Sequence, residues 1–375
     1  MTTFINIFHL GIKEFRSLYR DPAMLILIAF AFSFDIYIAA KGQPESLQSA
    51  PVAIVDEDRT PLSMRIADSL YPPYFIPPVI TSQEEASRGM NRGTYSFTLD
   101  IPPDFQRDVI AGRQPGLQLN VDATLVSEAY IGSVYMQSII NGDVNDFARG
   151  YSTATSLPIE LDARMLYNPN LIQAWYAGVM ELINNVTMLS IILSGAALVR
   201  EREHGTIEHL LVMPLTPFEI VASKVWSMAV VVMVAAVFAL EVMVRGFIGT
   251  NITGSVLLFL FGLLITLFAT TSMGILMGTI SRSMPQFGLL VILVLLPLEV
   301  LSGSLTPRAS MPLLVQKIML LAPTTHFVTM AQAILYRGAG LSIVWPQFLA
   351  IFVIGALFFV AALISFRRSI GTVQP

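Results

Sequence analysis

Residues 176–244 read YAGVMELINNVTMLSIILSGAALVREREHGTIEHLLVMPLTPFEIVASKVWSMAVVVMVAAVFALEVMV. An α-helix needs about 20 apolar residues to cross the hydrocarbon core of a membrane. The apolar runs at 176–199 and 225–244 both reach that length, and the connection at 200–224 is charged and contains two prolines. The stretch therefore predicts two membrane-spanning helices joined by a short polar segment.

The rest of the chain repeats this pattern of apolar runs and polar connections. Of its 375 residues, 54% are hydrophobic and only 13% are charged, which is too apolar for a soluble protein. Four more apolar runs lie near 22–40, 256–280, 287–303 and 346–366. We therefore predict a polytopic α-helical membrane protein with six transmembrane helices, the first at 22–40 and the other five within 175–375.

The distribution of basic residues predicts how the chain is oriented. An even number of spans places both termini on one side, and loops rich in Lys and Arg face the cytoplasm. The basic residues on the side of the termini are Lys13, Arg16, Arg20, Arg200, Arg202, Lys224, Arg282, Arg367 and Arg368. Three basic residues in the last outer loop, Arg308, Lys317 and Arg337, weaken the contrast. We predict a multi-pass protein of the bacterial cell inner membrane with both termini in the cytoplasm.

Residues 1–21 are predicted to form an amphipathic interfacial helix before the first span. Its apolar residues recur at three- and four-residue intervals, and its basic residues lie off that face. The apolar residues are Phe4, Phe8, Ile12, Phe15 and Tyr19. Such a helix lies in the headgroup region of the membrane, where it either serves as a simple anchor or has a mechanistic role. The run that follows is interpreted as an uncleaved span, because it is longer than the apolar core of a usual signal peptide.

The long polar stretch 41–174 is predicted to fold as an α/β domain on the periplasmic side. Short β-rich runs, such as VAIVD at 52–56, alternate with helical patterns, as expected of a packed domain. The stretch holds sixteen Asp and Glu residues against nine Lys and Arg residues. Because the sequence has no basic patch typical of nucleic-acid binding, nucleic acid is not an expected partner.

A second segment, 304–340, is predicted to form a re-entrant helical hairpin in the outer leaflet before the last span. Pro307, Pro312 and Pro323 interrupt it, so it is too broken to cross the membrane. It is also too apolar for a free loop. Irregular backbone at membrane depth is tolerated only where protein buries it or water lines it.

Sequence motifs for catalysis are absent. The chain has no G-x-x-x-x-G-K-[ST] loop for ATP phosphates, no H-E-x-x-H zinc helix and no G-x-S-x-G nucleophile turn. The four histidines do not have the spacing of a metal set. We therefore expect a protein that is not an enzyme and holds no cofactor itself. Any ATP-driven work would need ATP and Mg²⁺ on a separate subunit.

The segment 200–224 has the features of a compact helical connection. Residues 200–203 continue the preceding helix beyond the apolar run, Gly205 permits a bend, and Thr206 can cap a short helix. Thr216 and Pro217 then begin the next span. Charged helix ends often serve only to fix topology, so spacing alone leaves a structural and a functional interpretation equally open.

Within this segment, EREHGTIEHLLVMPLTPFEI at 201–220 resembles the cytoplasmic segment of type-2 ABC exporter permeases, the ABC-2 type. In that family a Glu-Arg-Glu-x-Gly-Thr-x-Glu-x-Leu run followed by a Pro-containing turn docks on the ATPase. The resemblance extends over essentially the whole chain, including RDP at 20–22 and NPN at 168–170, and is greatest with efflux permeases that carry a large outer domain. It implies the candidate ATPase-coupling residues Arg200, Glu201, Arg202, Glu203, His204, Gly205, Thr206 and Glu208.

By this resemblance the chain is expected to be the permease subunit of an ATP-driven ABC exporter for a drug-like or amphiphilic substrate. The implied partners are an ABC ATPase subunit, a second permease in a homodimer or related heterodimer, the lipid membrane and a periplasmic adaptor of the membrane-fusion type. Two alternatives remain, a proton-coupled secondary transporter and a membrane receptor with a periplasmic ligand-binding domain. The predicted cytoplasmic segments are too short to form a receptor's output domain.

Four carboxylates within or beside the apolar runs are candidates for the pathway or an interface. They are Asp35, Glu181, Glu241 and Glu299. Ionisable groups inside a membrane cost several kcal/mol unless they face protein or water. The carboxylates therefore either line a route suited to a cationic amphiphile or lie solvated at the membrane interface, with Glu299 the strongest candidate for a functional role.

Overall fold

The computed structural model describes residues 2–42, 49–122, 126–151, 172–205, 215–305, 308 and 311–371. The chain divides into two compact units. We call Met1–Gln43 with Met165–Pro375 the membrane unit and Pro44–Arg164 the α/β unit. Each unit has its own cluster of buried apolar side chains.

In the membrane unit, six helices among the described residues are long and apolar enough to cross a membrane. Spans 1 to 6 are Pro22–Lys41, Gln173–Glu203, Pro217–Phe247, Val256–Ile280, Met284–Leu301 and Leu341–Gly371. Each overlaps one of the six predicted runs, so the prediction of a helical polytopic membrane protein is confirmed. Span 2 is longer than its apolar run because the charged residues at 200–203 continue the helix.

Span 2 is the central helix of the membrane unit. In the most apolar part of span 2, 83% of the residues are buried, against 22% in the corresponding parts of spans 1, 5 and 6. Span 2 packs closely on span 4, where the Ser190 hydroxyl donates to Thr270 Oγ1 over 2.7 Å. A Cβ atom added to Gly274 would overlap the Ile191 carbonyl oxygen and lie 2.8 Å from Ile191 Cα. Glycine at this position therefore permits the close approach of the two backbones.

The N-terminal helix, Thr2–Tyr19, packs against span 3. Its buried positions are Gly11, Glu14 and Leu18, whereas Phe4 and Tyr19 are 76% and 80% exposed. The predicted aromatic stripe is thus not the side that packs most deeply on protein. The predicted interfacial position of this helix agrees with its exposed aromatic residues and stays a prediction.

Two short helices, Leu313–Leu321 and Pro323–Tyr336, meet at an angle of 95° before span 6. The Tyr176 hydroxyl donates to the Ser304 carbonyl over 3.0 Å, and the Tyr336 hydroxyl donates to the Trp175 carbonyl over 3.0 Å. The second helix of the bent pair and the chain just after span 5 therefore both contact the N-terminal end of span 2.

The α/β unit is built on a four-stranded sheet with the strand order β2-β1-β3-β4. The strands are β1 Val52–Asp56, β2 Val79–Ile80, β3 Phe97–Ile101 and β4 Gln118–Val121. β1 pairs in parallel with β2 and β3, and β4 is antiparallel to β3. The helices are Pro61–Ser69, Gln83–Asn91, Phe105–Ile110 and Val126–Tyr151.

Helices cover both faces of this sheet. On one face Ile54, Leu99 and Met136 belong to the main core, which includes helix Val126–Tyr151. On the other face Ala53 and Val55 pack with Ala86 of helix Gln83–Asn91. This burial on both sides explains why β1 is a continuous apolar run. The periplasmic location of the unit stays a prediction.

Candidate functional site

A network of ion pairs joins the two ends of the segment 200–224. Lys224, near the start of span 3, places its Nζ 2.8 Å from Glu201 Oε2 at the end of span 2. The same nitrogen donates to Glu14 Oε1 of the N-terminal helix over 2.8 Å. Lys13 Nζ donates to Glu201 Oε1 over 2.5 Å. We call Lys13, Glu14, Glu201 and Lys224 the ion-pair network.

The centre of this network is shielded from water. Lys224 is 1% exposed and Glu14 is 5% exposed. A buried charge is tolerated only when opposite charges and hydrogen bonds compensate its lost hydration, and the two carboxylates supply that compensation for Lys224. The network therefore holds the N-terminal helix, span 2 and span 3 together at one point.

Aromatic packing strengthens the contact between the N-terminal helix and span 3. Trp226 Nε1 donates to the Ile7 carbonyl over 3.1 Å, and its ring stacks on Phe8 with the centroids 5.9 Å apart. A Cβ atom at Gly11 would overlap the Trp226 ring. Glycine at position 11 thus allows the helix to lie directly on the indole.

The start of span 3 is closed by a capping box. The Thr216 hydroxyl caps the helix, and Glu219 Oε2 accepts from the Thr216 backbone N–H over 2.7 Å. Asn6 of the N-terminal helix donates to Glu219 Oε1 over 3.0 Å. The predicted restart at Thr216 and Pro217 is confirmed, and the cap is tied to the N-terminal helix as well.

The end of span 2 also contacts the ends of spans 1 and 4. Arg200 forms an ion pair with Asp21, which also caps span 1 by accepting from Met24 N over 3.2 Å. Arg202 donates to the Thr279 carbonyl at the C-terminal end of span 4 over 3.3 Å. A cation is favourable there because the last carbonyls of a helix carry partial negative charge.

Glu203 makes the complementary contact with span 5. Its Oε1 accepts from the Met284 backbone N–H over 2.7 Å, at the helix end where a carboxylate is favoured. Residues 200–203 thus contact the ends of spans 1, 3, 4 and 5 from the end of span 2. These five helix ends lie at one end of the membrane unit.

The remaining candidate coupling residues lie at the limit of the described chain. His204 Nδ1 is 2.8 Å from the Arg200 carbonyl oxygen and the side chain is exposed. Gly205 has a φ of +69°, a value that glycine adopts without strain, and it lies two residues after span 2 ends at Glu203. Thr206 and Glu208 lie outside the described residues.

Three of the four intramembrane carboxylates lie near one another. Glu181 lies close to Asp35, and Glu299 is close enough to interact electrostatically with both. Asn185 donates to Asp35 Oδ2 over 3.0 Å and to the Ala31 carbonyl over 2.9 Å. Span 1 has a π-helical turn at Ala31–Asp35, and Asp35 is its last residue.

The fourth carboxylate has a different partner. Glu241 pairs with Arg245 one helical turn later, with Oε2 and Nη1 2.8 Å apart, and both side chains are nearly half exposed. This agrees with the interfacial interpretation for Glu241. In the parts of the chain that the structure describes, no cluster of three or more His, Asp or Glu side chains is arranged to hold a metal ion.

Comparisons with known proteins identify the family of this chain. A family model described as "ABC-2 family transporter protein" matches residues 23–364. The chain belongs to the ABC-2 transporter family. It is 58% identical over 367 residues to the "Inner membrane transport permease YhhJ" of Escherichia coli (strain K12), covering 98% of both chains. It is 27% identical to the "Probable multidrug ABC transporter permease YbhR" of the same organism, covering 96% of this chain and 97% of the relative.

In this ABC-2 family permease, the sequence identified some site residues and missed others. Glu201 and Arg200 were found through the family motif, and Lys224 was noted only as a charge that sets orientation. Glu14 was missed because one acidic residue among several basic ones in an amphipathic helix carries no pairing signal. The burial of Glu14 could still have been inferred, because Glu14 lies on the same helical face as Gly11 and Leu18.

Proposed function

We propose that the chain is the permease subunit of an ATP-driven ABC exporter, with ATP hydrolysis on a separate ATPase subunit. The observation that carries this proposal is the ion-pair network. It ties both ends of the segment 200–224 to the N-terminal helix, so displacement of that segment would move the N-terminal helix, span 2 and span 3 together. A docked ATPase that closes on ATP would use this linkage to tilt the spans.

The proposed orientation is described by the side of the membrane on which each group of helix ends lies. The ends gathered around residues 200–203 face the cytoplasm, together with the N-terminal helix, and the α/β unit is periplasmic. The bent pair at 313–336 then forms the re-entrant hairpin at the periplasmic end, supported by the contacts of its Tyr336 to Trp175 and of its Gln332 to Tyr176. A second permease, identical or related, completes the pathway, and a periplasmic adaptor of the membrane-fusion type accepts the substrate.

The proposed substrate is a drug-like or amphiphilic molecule. Two relatives are named as probable multidrug permeases, YbhR and, at 24% identity over 95% of this chain and 93% of its own length, YbhS of Escherichia coli (strain K12). The clustered carboxylates Asp35, Glu181 and Glu299 agree with a polar point along the route.

Affinity purification of the full chain tests this proposal. We expect the tagged wild type, extracted in mild detergent, to recover an ABC ATPase that mass spectrometry identifies by its phosphate-binding loop. The variant His204→Glu with Glu208→Arg should recover less than a tenth as much, because it changes the charge of the proposed docking surface. It leaves the ion-pair network untouched, unlike a substitution at Glu201.

The matched control is Glu84→Arg in the α/β unit, whose side chain is 77% exposed and pairs with Arg88 one turn later. This control should recover as much ATPase as the wild type. Absence of any ATPase from well-folded wild type, even after chemical cross-linking in the membrane, would refute the exporter assignment.

The clustering of Asp35, Glu181 and Glu299 favours a second candidate function, proton-coupled transport. The ATP-driven proposal predicts that liposomes containing the chain without ATPase conduct no protons under a pH gradient, as read by an internal pH-sensitive dye. The triple variant Asp35→Asn, Glu181→Gln and Glu299→Gln should then behave like wild type. Proton flux in wild type that the triple variant abolishes would establish the secondary transporter instead.

A further inference from the structure

The α/β unit contains a cavity of about 540 Å³. Sites for small organic molecules typically occupy roughly 300–1,000 Å³ and are lined mainly by apolar side chains. The cavity lies between the β3–β4 side of the sheet, the loop after helix Phe105–Ile110 and helix Val126–Tyr151. Its lining includes the apolar side chains of Leu99, Leu119 and Ile140.

Polar side chains surround this apolar floor on two sides. Gln137 and Asn141 are exposed residues one turn apart on helix Val126–Tyr151. Arg113 and Gln114 come from the loop that begins at Gly112, where a φ of +72° ends the preceding helix. We call the cavity with these four polar residues the amide-rimmed groove.

The charge of the groove is unusual for its surroundings. Residues 41–174 hold sixteen acidic side chains against nine basic ones. Among the described residues that line the groove, however, none is acidic and Arg113 is the single charged side chain. Arg113 Nη2 also pairs with Asp108 Oδ1 over 2.7 Å, outside the lining. A cationic ligand would therefore meet no carboxylate in the groove itself.

We propose that the amide-rimmed groove binds a small amphiphile whose polar end is uncharged or anionic. Its apolar body packs on Leu99, Leu119 and Ile140, and its polar end bonds to the amides of Gln137 and Asn141 and to the guanidinium of Arg113. Amides both donate and accept hydrogen bonds, whereas a guanidinium only donates, so the rim suits oxygen acceptors. The further statement that this amphiphile is the exported substrate rests on the proposed function.

Photo-cross-linking of the purified full chain tests the groove without any ATPase. The probes are dodecanoic acid and dodecylamine, each carrying the same aliphatic diazirine, and labelled peptides are mapped by mass spectrometry. We expect the acid to label residues 113–148 and excess unlabelled dodecanoic acid to compete. The amine should label this region at least fivefold less.

Two double variants on one helix separate the groove from its surroundings. Gln137→Glu with Asn141→Glu places carboxylates on the rim and should reduce labelling by the acid at least fivefold. Ser138→Glu with Asn145→Glu adds the same charge at exposed positions of the same helix outside the lining and should change labelling less than twofold.

Equal labelling of wild type and both double variants would overturn the proposal, as would a preference for the amine. Absence of labelling by either probe in folded protein would also overturn it. A segment of a partner protein would then become the alternative occupant of the groove. Because no ATPase is present, failure of the exporter assignment would not change the labelling result.

Discussion

Replacement of Lys224 by Met is expected to destabilise the membrane unit by about 3–5 kcal/mol, because breaking a buried ion pair leaves uncompensated charge. Lys224 is the cation that lies between Glu14 and Glu201, at 2.8 Å from each. Without it, two carboxylates face each other at a site shielded from water, and Lys13 at the exposed edge compensates only Glu201 closely. Thermal unfolding in detergent, followed by size-exclusion chromatography after heating, measures the loss.

The neutral triple variant Lys224→Met, Glu14→Gln and Glu201→Gln is the matched control. Removing these three charges leaves only Lys13, whose side chain is 46% exposed and can be hydrated, and exchange of buried ion pairs for neutral groups is often without cost. We expect this variant to recover most of the stability while transport stays impaired, because the N-terminal helix and segment 200–224 are no longer held by charge. A single Lys224→Met variant as stable as wild type would show that the network is not buried when the protein is in its native environment.

Substitution of Gly274 by Ala is expected to separate spans 2 and 4 and to cost roughly 1–3 kcal/mol, the usual penalty for overpacking a core. The added methyl group would overlap the Ile191 carbonyl oxygen, which is backbone and cannot rotate away. The Ser190–Thr270 hydrogen bond, one turn along the same interface, should weaken as the helices move apart. The midpoint of thermal unfolding in detergent should fall accordingly.

Gly288→Ala provides the same chemical change in an open position. No heavy atom lies within 4 Å of a Cβ atom built at Gly288 in span 5. This variant should be at least as stable as wild type, because alanine favours a helix over glycine by up to about 1 kcal/mol. If both alanine variants lose the same stability, the contact between spans 2 and 4 is not responsible.

Much of the membrane architecture was predictable because lipid imposes a simple rule. A helix that crosses the hydrocarbon must satisfy its backbone internally and present about 20 apolar residues, so each span leaves a direct mark in the sequence. The cap at Thr216 was also predictable, since a capping side chain acts on backbone within three residues. The strands of the sheet were predicted from short runs of β-rich residues, and the run at 52–56 does form β1.

The ion-pair network and the carboxylate cluster were not predictable as groups. Lys224 and Glu14 are 210 positions apart, and Asn185 and Asp35 are 150 positions apart. No local pattern couples residues at such separations, because only the packing of helices decides which ends meet. The sequence marked Asp35, Glu181 and Glu299 as costly residues and could not show that these three approach one another.

The long separation within the ion-pair network also constrains how the protein is made. During synthesis the N-terminal helix leaves the ribosome first, so Glu14 exists for a long interval before Lys224 has been translated. Until then the Glu14 carboxylate lacks this buried partner and stays in water. The final docking of the N-terminus therefore reports that span 3 has been inserted, and a chain truncated before span 3 would leave the N-terminal helix without this contact.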